Sequence, residues 1–435
     1  MLYWPSLLQT IYKLVNCLWS DQVKQESNHF MSSEITFIED GNIASPKGFL
    51  AGASYAGIKT YSPDKLDLGI LYSEKQCSSA GVFTTNKVKS PSVLLTQQHL
   101  AVQKLQAVVV TSGIANACVG TQGMTDAIEM VSLASQHVGL NEKEMAICTT
   151  GLIGVELPMA LLRSTIPTVE LSYSGGTSFA KSIMTTDVSP KEAALTMEVN
   201  GSVITIGGTI KGAGMIHPDM ATMLCFLTTD ANIPQAILQP CLKEVIDETL
   251  NCITVDGDTS TNDTVLLLAN GASGGTPIVT GSTELDTFKQ GLTKLCSYLG
   301  EELIKTSEGA QKLIKVNVVG AASLSDARSA ARTIAGSSLV KTAIHGNDPN
   351  WGRILAALGR SNATVDENKV AININEVCVF EKGLPVPFFK EAVIKAMNNV
   401  EVLLTVQLNQ GVASATALGC DLTEEYVVIN SAYST

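Results

Sequence analysis

The 435-residue sequence predicts an α/β fold, on three observations. Short β-branched runs such as Val108-Val109-Val110 alternate with segments of helical periodicity such as Thr125 to Val138. No G-x-G-x-x-G turn follows any of the strands, so the alternation is not that of a dinucleotide-binding sheet. At 45% hydrophobic and 16% charged residues, the chain can bury a large layered core.

Composition also bounds the function. A formal charge of −12 supplies no basic face, which argues against a nucleic-acid or anionic-membrane partner and for small-molecule substrates. Ten cysteines form no C-x-x-C pair and only five histidines accompany them. Neither a disulfide framework nor a metal site is expected, and a reducing, cytoplasmic setting fits. Cys118, Cys148 and Cys225 read as small buried apolar residues.

Residues 1–30 differ from the rest. Trp4, Leu7, Leu8, Ile11, Val15 and Leu18 recur at helical spacing, so an amphipathic helix is expected in an N-terminal extension. It is too polar to span a bilayer and lacks the basic start and cleavage site of a secretory signal. After it, GFLAGASYAGIK and DLGILYS read as short strands joined by tight turns.

Met145 to Cys148 is a strand that enters Thr149-Thr150-Gly151. Glycine lets backbone amides turn outward beside a threonine hydroxyl, which suits an oxyanion; a strand-to-helix turn with an N-cap threonine fits the same residues. In the stretch Ser182 to Asp187, read as extended, Thr185 and Thr186 should point to opposite faces, so only one can meet a site. Glu192 to Lys211 then forms a hairpin about Asn200-Gly201 and delivers Lys211 to the next stretch.

That stretch is KGAGMIHPDMATML, Lys211 to Leu224. Gly212, Gly214 and Pro218 force a bend, and an apolar run follows with Ala221 directly before a hydroxyl residue, Thr222. Thr222 can be an ordinary β-branched strand residue. Alternatively its hydroxyl attacks the Ala221 carbonyl. Acyl shift and hydrolysis would then leave a chain that begins at Thr222, whose α-amine can serve as base for its own hydroxyl.

Gln235 to Leu250 is an amphipathic helix. Thr254 to Thr264 packs hydroxyls and carboxylates densely enough to suggest cation or phosphoryl chemistry, although no partner Lys or Asp pair supports it. Gly271 to Gly275 satisfies G-x-S-x-G, but Pro277 and a β-like run follow where a nucleophile elbow needs a helix. Phe288 to Ile304 and Asp326 to Ile334 are helices, Glu308 sits in a loop, and Trp351 anchors the turn-rich run from His345 to Arg353. The chain closes in an apolar strand from Val427 towards Thr435.

Motifs in order along the chain resemble the glutamate N-acetyltransferase family, also called ornithine acetyltransferase, of bifunctional arginine biosynthesis. The longest is KGAGMIHPDMATML, its self-cleavage motif; TTGLIGVELPM, IMTTDVSPK, VDGDTSTNDT, HGNDPNWGR and the terminal NSAYST accompany it, as does SGIANACVG. Ile114 and Val188 depart from the family pattern. The resemblance implies a layered α-β-β-α sandwich with a smaller C-terminal α/β domain. It implies cleavage between Ala221 and Thr222 into an alpha chain, 31–221, and a beta chain, 222–435. Acetyl would then pass from N2-acetyl-L-ornithine to L-glutamate through an acetyl ester on Thr222, with Thr150 and Gly151 holding the oxyanion. Thr185, Lys211, Glu308, Asn430 and Thr435 would join Thr222 in contacting substrate. No metal or cofactor is implied, acetyl-CoA is left open as a second donor, and two of each chain would form a heterotetramer. The rival is a like-folded self-cleaving aminopeptidase, which hands its acyl group to water.

Overall fold

The computed structural model describes residues 34–59, 65–217 and 223–432. Ala221, Thr222 and Thr435 lie outside them, as does the helix expected over residues 1–30. The large compact unit begins at Ile35; of the unit before it, Met1–Glu34, only Glu34 is described.

Two sheets form the centre. One has the strands Phe49–Ser54, Leu68–Ser73, Ala107–Ile114 and Met145–Leu152 in that spatial order. The other runs Thr36–Phe37, Lys191–Val199, Ser202–Lys211, Leu224–Thr229, Thr264–Ala269 and Ser78–Phe83. Successive strand side chains point to opposite faces. Val108, Val110, Ala146 and Cys148 therefore pack against Leu224, Phe226, Leu266 and Leu268 of the facing sheet. Their neighbours Val109 and Ile147 turn outward onto Ala127, Met130 and Val131 of the helix Gln122–Val138. On the far side Cys225, Leu227, Val265 and Leu267 meet the helices Gln235–Glu248 and Thr283–Lys305. The layer order is α-β-β-α. Strands buried on both faces explain why these runs are apolar throughout rather than alternating.

Two local signals set the position of the site. Asn200 and Gly201 both have positive φ, 52° and 70°, as a two-residue hairpin turn of the primed type needs, and the hairpin they close places Lys211 opposite Leu224. In the other sheet, Ala107–Ile114 and Met145–Leu152 run parallel, which pairs Ser112 with Thr150 and Gly113 with Gly151.

The C-terminal part builds a seven-stranded mixed sheet centred on Leu313–Ala321 and Glu401–Gln407, with its own core against the helices Leu324–Ala335, Ser338–His345, Trp351–Gly359 and Lys390–Met397. Trp351 stacks on Phe380 at 5.1 Å, the anchoring role expected of it.

Three expectations are corrected. The terminal apolar run is a helix, Glu424–Ala432, and not a strand. Thr423 Oγ1 accepts the Tyr426 N–H, Glu424 and Glu425 complement the helix N-terminus, and the β-branched Val427 and Val428 stay exposed. Residues 183–190 are a turn following the helix Gly176–Ser182, so the alternation argument for Thr185 and Thr186 fails. Cys118 is exposed with φ 60°, because the tight turn from Asn116 throws it outward; Cys148 and Cys225 are buried as expected.

Candidate active site

One cavity collects Thr150, Gly151, Thr185, Thr186, Lys211, Thr261, Asn262, Glu308 and Asn430. Six of the residues expected from the sequence, Thr150, Gly151, Thr185, Lys211, Glu308 and Asn430, thus converge from five separate segments. The strand end is built by glycine. Gly151 has φ +127°, and a Cβ there would fall on the Gly113 carbonyl and lie 2.6 Å from the Ile114 nitrogen. Only glycine allows the two parallel strands to close at this level, and Thr150 and Gly151 both line the cavity there.

Asn262 braces that strand end. Its Nδ2 donates to the carbonyls of Ala115 and Thr149 at 2.6 and 2.8 Å, while Thr261 Oγ1 donates to its Oδ1. Asn116 holds the neighbouring loop: its Nδ2 donates to the Gly123 carbonyl at 2.8 Å.

Charge is arranged in a buried layer beneath the cavity. Lys211 is 3% exposed, and among the described residues no hydrogen bond to its ammonium is found. Burial lowers its pKa, while Asp187 and Asp263 oppose that effect. Asp187 is the clamp of the layer. Its Oδ1 pairs with Lys191 and accepts the Gly212 N–H at 2.8 Å, and its Oδ2 accepts the Thr185 N–H at 3.0 Å. Burial pushes the Asp187 carboxyl up, but Lys191 and Lys211 outweigh it and hold the carboxyl below its ordinary value.

Asp187→Asn should therefore destabilise the fold by about 3–5 kcal/mol, the cost of removing one member of a buried pair. Because its folded-state pKa is depressed, the contribution is complete above the unfolded-state pKa and is lost as pH falls through the folded one. Urea unfolding at neutral and acid pH checks both points: the gap between wild type and variant should shrink in acid.

At the mouth, Glu308 accepts from Thr186 Oγ1 at 2.7 Å and from Asn430 Nδ2 at 2.8 Å. Its carboxylate lies against Gly214, where any Cβ would strike it. Asp256 ties the same helix to the bend before Pro218: it accepts the Met215 and Ile216 N–H groups and the Tyr426 hydroxyl, the last two at 3.0 and 3.1 Å. Sequence reasoning missed Asp187, Asp256, Asn262 and Asp263 as organisers. A signal was present in the last pair, since residues 260–264 are polar throughout yet precede a strand that is wholly buried.

Among the described residues, no group of three or more His, Cys, Asp or Glu could hold a metal, and no helix is long and apolar enough to cross a membrane. All nine described cysteines are free.

A threonine hydroxyl beside a glycine turn, a buried ammonium and a carboxylate lining one small cavity are the parts of an acyl-transfer enzyme acting on amino-acid-sized molecules. The chain belongs to the ArgJ family, whose sequence profile matches residues 50–435. The arginine biosynthesis bifunctional protein ArgJ of Dehalococcoides mccartyi is 47% identical over 406 residues, 93% of this chain and 100% of the relative. That of Symbiobacterium thermophilum is 47% identical over 91% of this chain and 99% of its own. Among solved structures, an ornithine acetyltransferase of Mycobacterium tuberculosis in complex with ornithine is 34% identical, aligned over 42% of this chain and 98% of that one, with a TM-score of 0.39.

Proposed function

We propose that this chain cuts itself between Ala221 and Thr222 and then carries acetyl from N2-acetyl-L-ornithine to L-glutamate on the Thr222 hydroxyl. The observation that carries the reading is the charge in the cavity: the buried Lys211 and the Glu308 carboxylate, whose loop bonds the Ala213 carbonyl, line it together with Thr150 and Gly151.

Each residue then has one task. The Thr222 oxygen attacks the acetyl carbonyl, and the Thr150 hydroxyl with the Gly151 N–H stabilises the oxyanion. Lys211 accepts the substrate carboxylate, and Glu308 an ammonium group of ornithine. Thr185, Asn430 and Thr435 complete the substrate contacts. Ornithine leaves first. Glutamate enters the same charged frame, and its amine takes the acetyl group, which makes the reaction ping-pong. Strands on both sides of the cut, Ser202–Lys211 and Leu224–Thr229, are paired in one sheet, so cleavage need not release either chain. Two of each, without metal or cofactor and in the cytoplasm, complete the proposal.

Glutamate-dependent loss of N2-acetyl-L-ornithine, with the acetyl group recovered on glutamate, is the expected result. Release of acetate at the same rate without glutamate would favour the hydrolase reading instead. Acetyl-CoA supplied as the only donor tests the second activity, and a native mass measurement tests the heterotetramer. Glu308→Gln should cost about ten- to a hundredfold in kcat/KM for acetylornithine, the worth of one hydrogen bond to a charged group. Steady-state kinetics read it.

A further inference from the structure

The polar run before Thr264–Ala269 buries a carboxylate that the scheme above leaves unused. Asp263 is 1% exposed. Its Oδ1 accepts the Met223 N–H at 3.0 Å, and the Thr264 N–H donates to the Met223 carbonyl at 3.1 Å. The residue that follows Thr222 is thereby held on both sides. The second oxygen, Oδ2, is buried and has no hydrogen-bond partner among the described residues. The Ser260 N–H and the Thr84 hydroxyl face the same carboxyl without closing a hydrogen bond to Oδ2, and Thr84 commits its proton to the Ser260 carbonyl at 2.7 Å. A carboxylate oxygen buried without a donor is costly, and such an atom marks a place where a donor arrives later.

We propose that Asp263 is the positioning residue of the nucleophile, holding Met223 in place and offering its second oxygen to the α-amino group that cleavage creates on Thr222. This rests on the reading of Thr222 as the nucleophile. Lys211 faces Asp263 from the hairpin, and Asp187, Lys191 and Glu308 surround Lys211 in turn. Burial pushes the Asp263 carboxyl well above the usual range although Lys211 opposes this, and an ammonium arriving beside it would draw it back down.

The chemistry balances without further reagents. As the Thr222 oxygen forms its bond to the acetyl carbon, the hydroxyl proton passes to the Thr222 α-amine, which becomes an ammonium beside Asp263. When the acetyl C–N bond breaks, that proton goes to the departing ornithine nitrogen. Nucleophile, base and orienting carboxylate divide the work as in a hydrolase triad.

Asp263→Asn keeps an acceptor for the Met223 N–H and removes the charge. Its amine loses a stabilising anion, so the acid limb of the kcat/KM profile should move to lower pH, while kcat falls on the order of 10²-fold with KM little changed. Asp263→Ala removes the clamp as well and should be cut slowly or not at all. A folded, cleaved Asp263→Asn with wild-type kcat and pH profile overturns the assignment, and so does a folded but uncut one, because asparagine keeps the Met223 clamp and the charge is given no part in the cut. Should Asp263→Asn fail to fold, the profile is read in Asp263→Glu, where a displaced acid limb supports the role and an unchanged one overturns it. Wild type is assayed alongside: if it is neither cut at residue 222 nor active, the reading of Thr222 has failed and not that of Asp263.

Discussion

Thr222→Ala is expected to migrate as one uncut chain of 435 residues and to transfer no measurable acetyl group, a loss of at least about 10⁴-fold. One hydroxyl is assigned two successive duties, cutting the backbone and carrying the acyl group, and positioned donors cannot replace a missing covalent nucleophile. The Thr150 and Gly151 donors and the buried Lys211 are untouched by the change, so folding and substrate affinity should survive. Thr222→Ser should be cut in part and retain activity, although without the methyl group its χ1 is free and its aim looser. Denaturing electrophoresis with intact-mass measurement and a transfer assay read both variants. A Thr222→Ala chain still divided at this peptide bond would remove the basis of the mechanism.

Gly151→Ala is expected to have the next largest effect. At φ +127° an L side chain is strained by about 1–3 kcal/mol, and the added Cβ would meet the Gly113 carbonyl across a closed pair of strands. The strands must part, and the amide assigned to the oxyanion moves with them. Loss of one such donor costs about 10²–10³ in kcat, with KM less affected. Gly154→Ala is the control: Gly154 also has positive φ, 82°, but a Cβ there meets nothing within 4 Å. It should carry the strain without the catalytic loss. Equal kcat in the two variants would mean that the Gly151 amide has no part in the reaction.

The rest of the site was legible in unequal measure. Val108 to Val110 and Leu224 to Leu227 announced strands buried on both faces, because each supplies apolar groups to two cores at once. Asn200-Gly201 announced a hairpin, because the turn needs two residues that tolerate positive φ. The run around Val427 misled, since β-branched residues suit a strand when nothing else is known. Tyr426 and Asn430 stand one helical turn apart, and that spacing lets one reach Asp256 and the other Glu308, 170 and 122 residues away in the chain.

By itself the sequence determined what is local or written in contiguous residues: the α/β alternation, the hairpin that presents Lys211, the glycine at 151 and the family to which the motifs point. Local sterics and hydrogen-bonding choices act over a few residues and need no partner. Only the tertiary structure decided which polar side chains organise the site. Asp263 holds Met223 from 40 residues away, Asn262 holds Ala115 from 147, and Asp187 joins Gly212 to the Thr185 turn. A carboxylate or amide in a loop has the same local signature whether water or a buried N–H satisfies it, and burial, which settles the matter, is a property of the packed layers and not of the residues beside it.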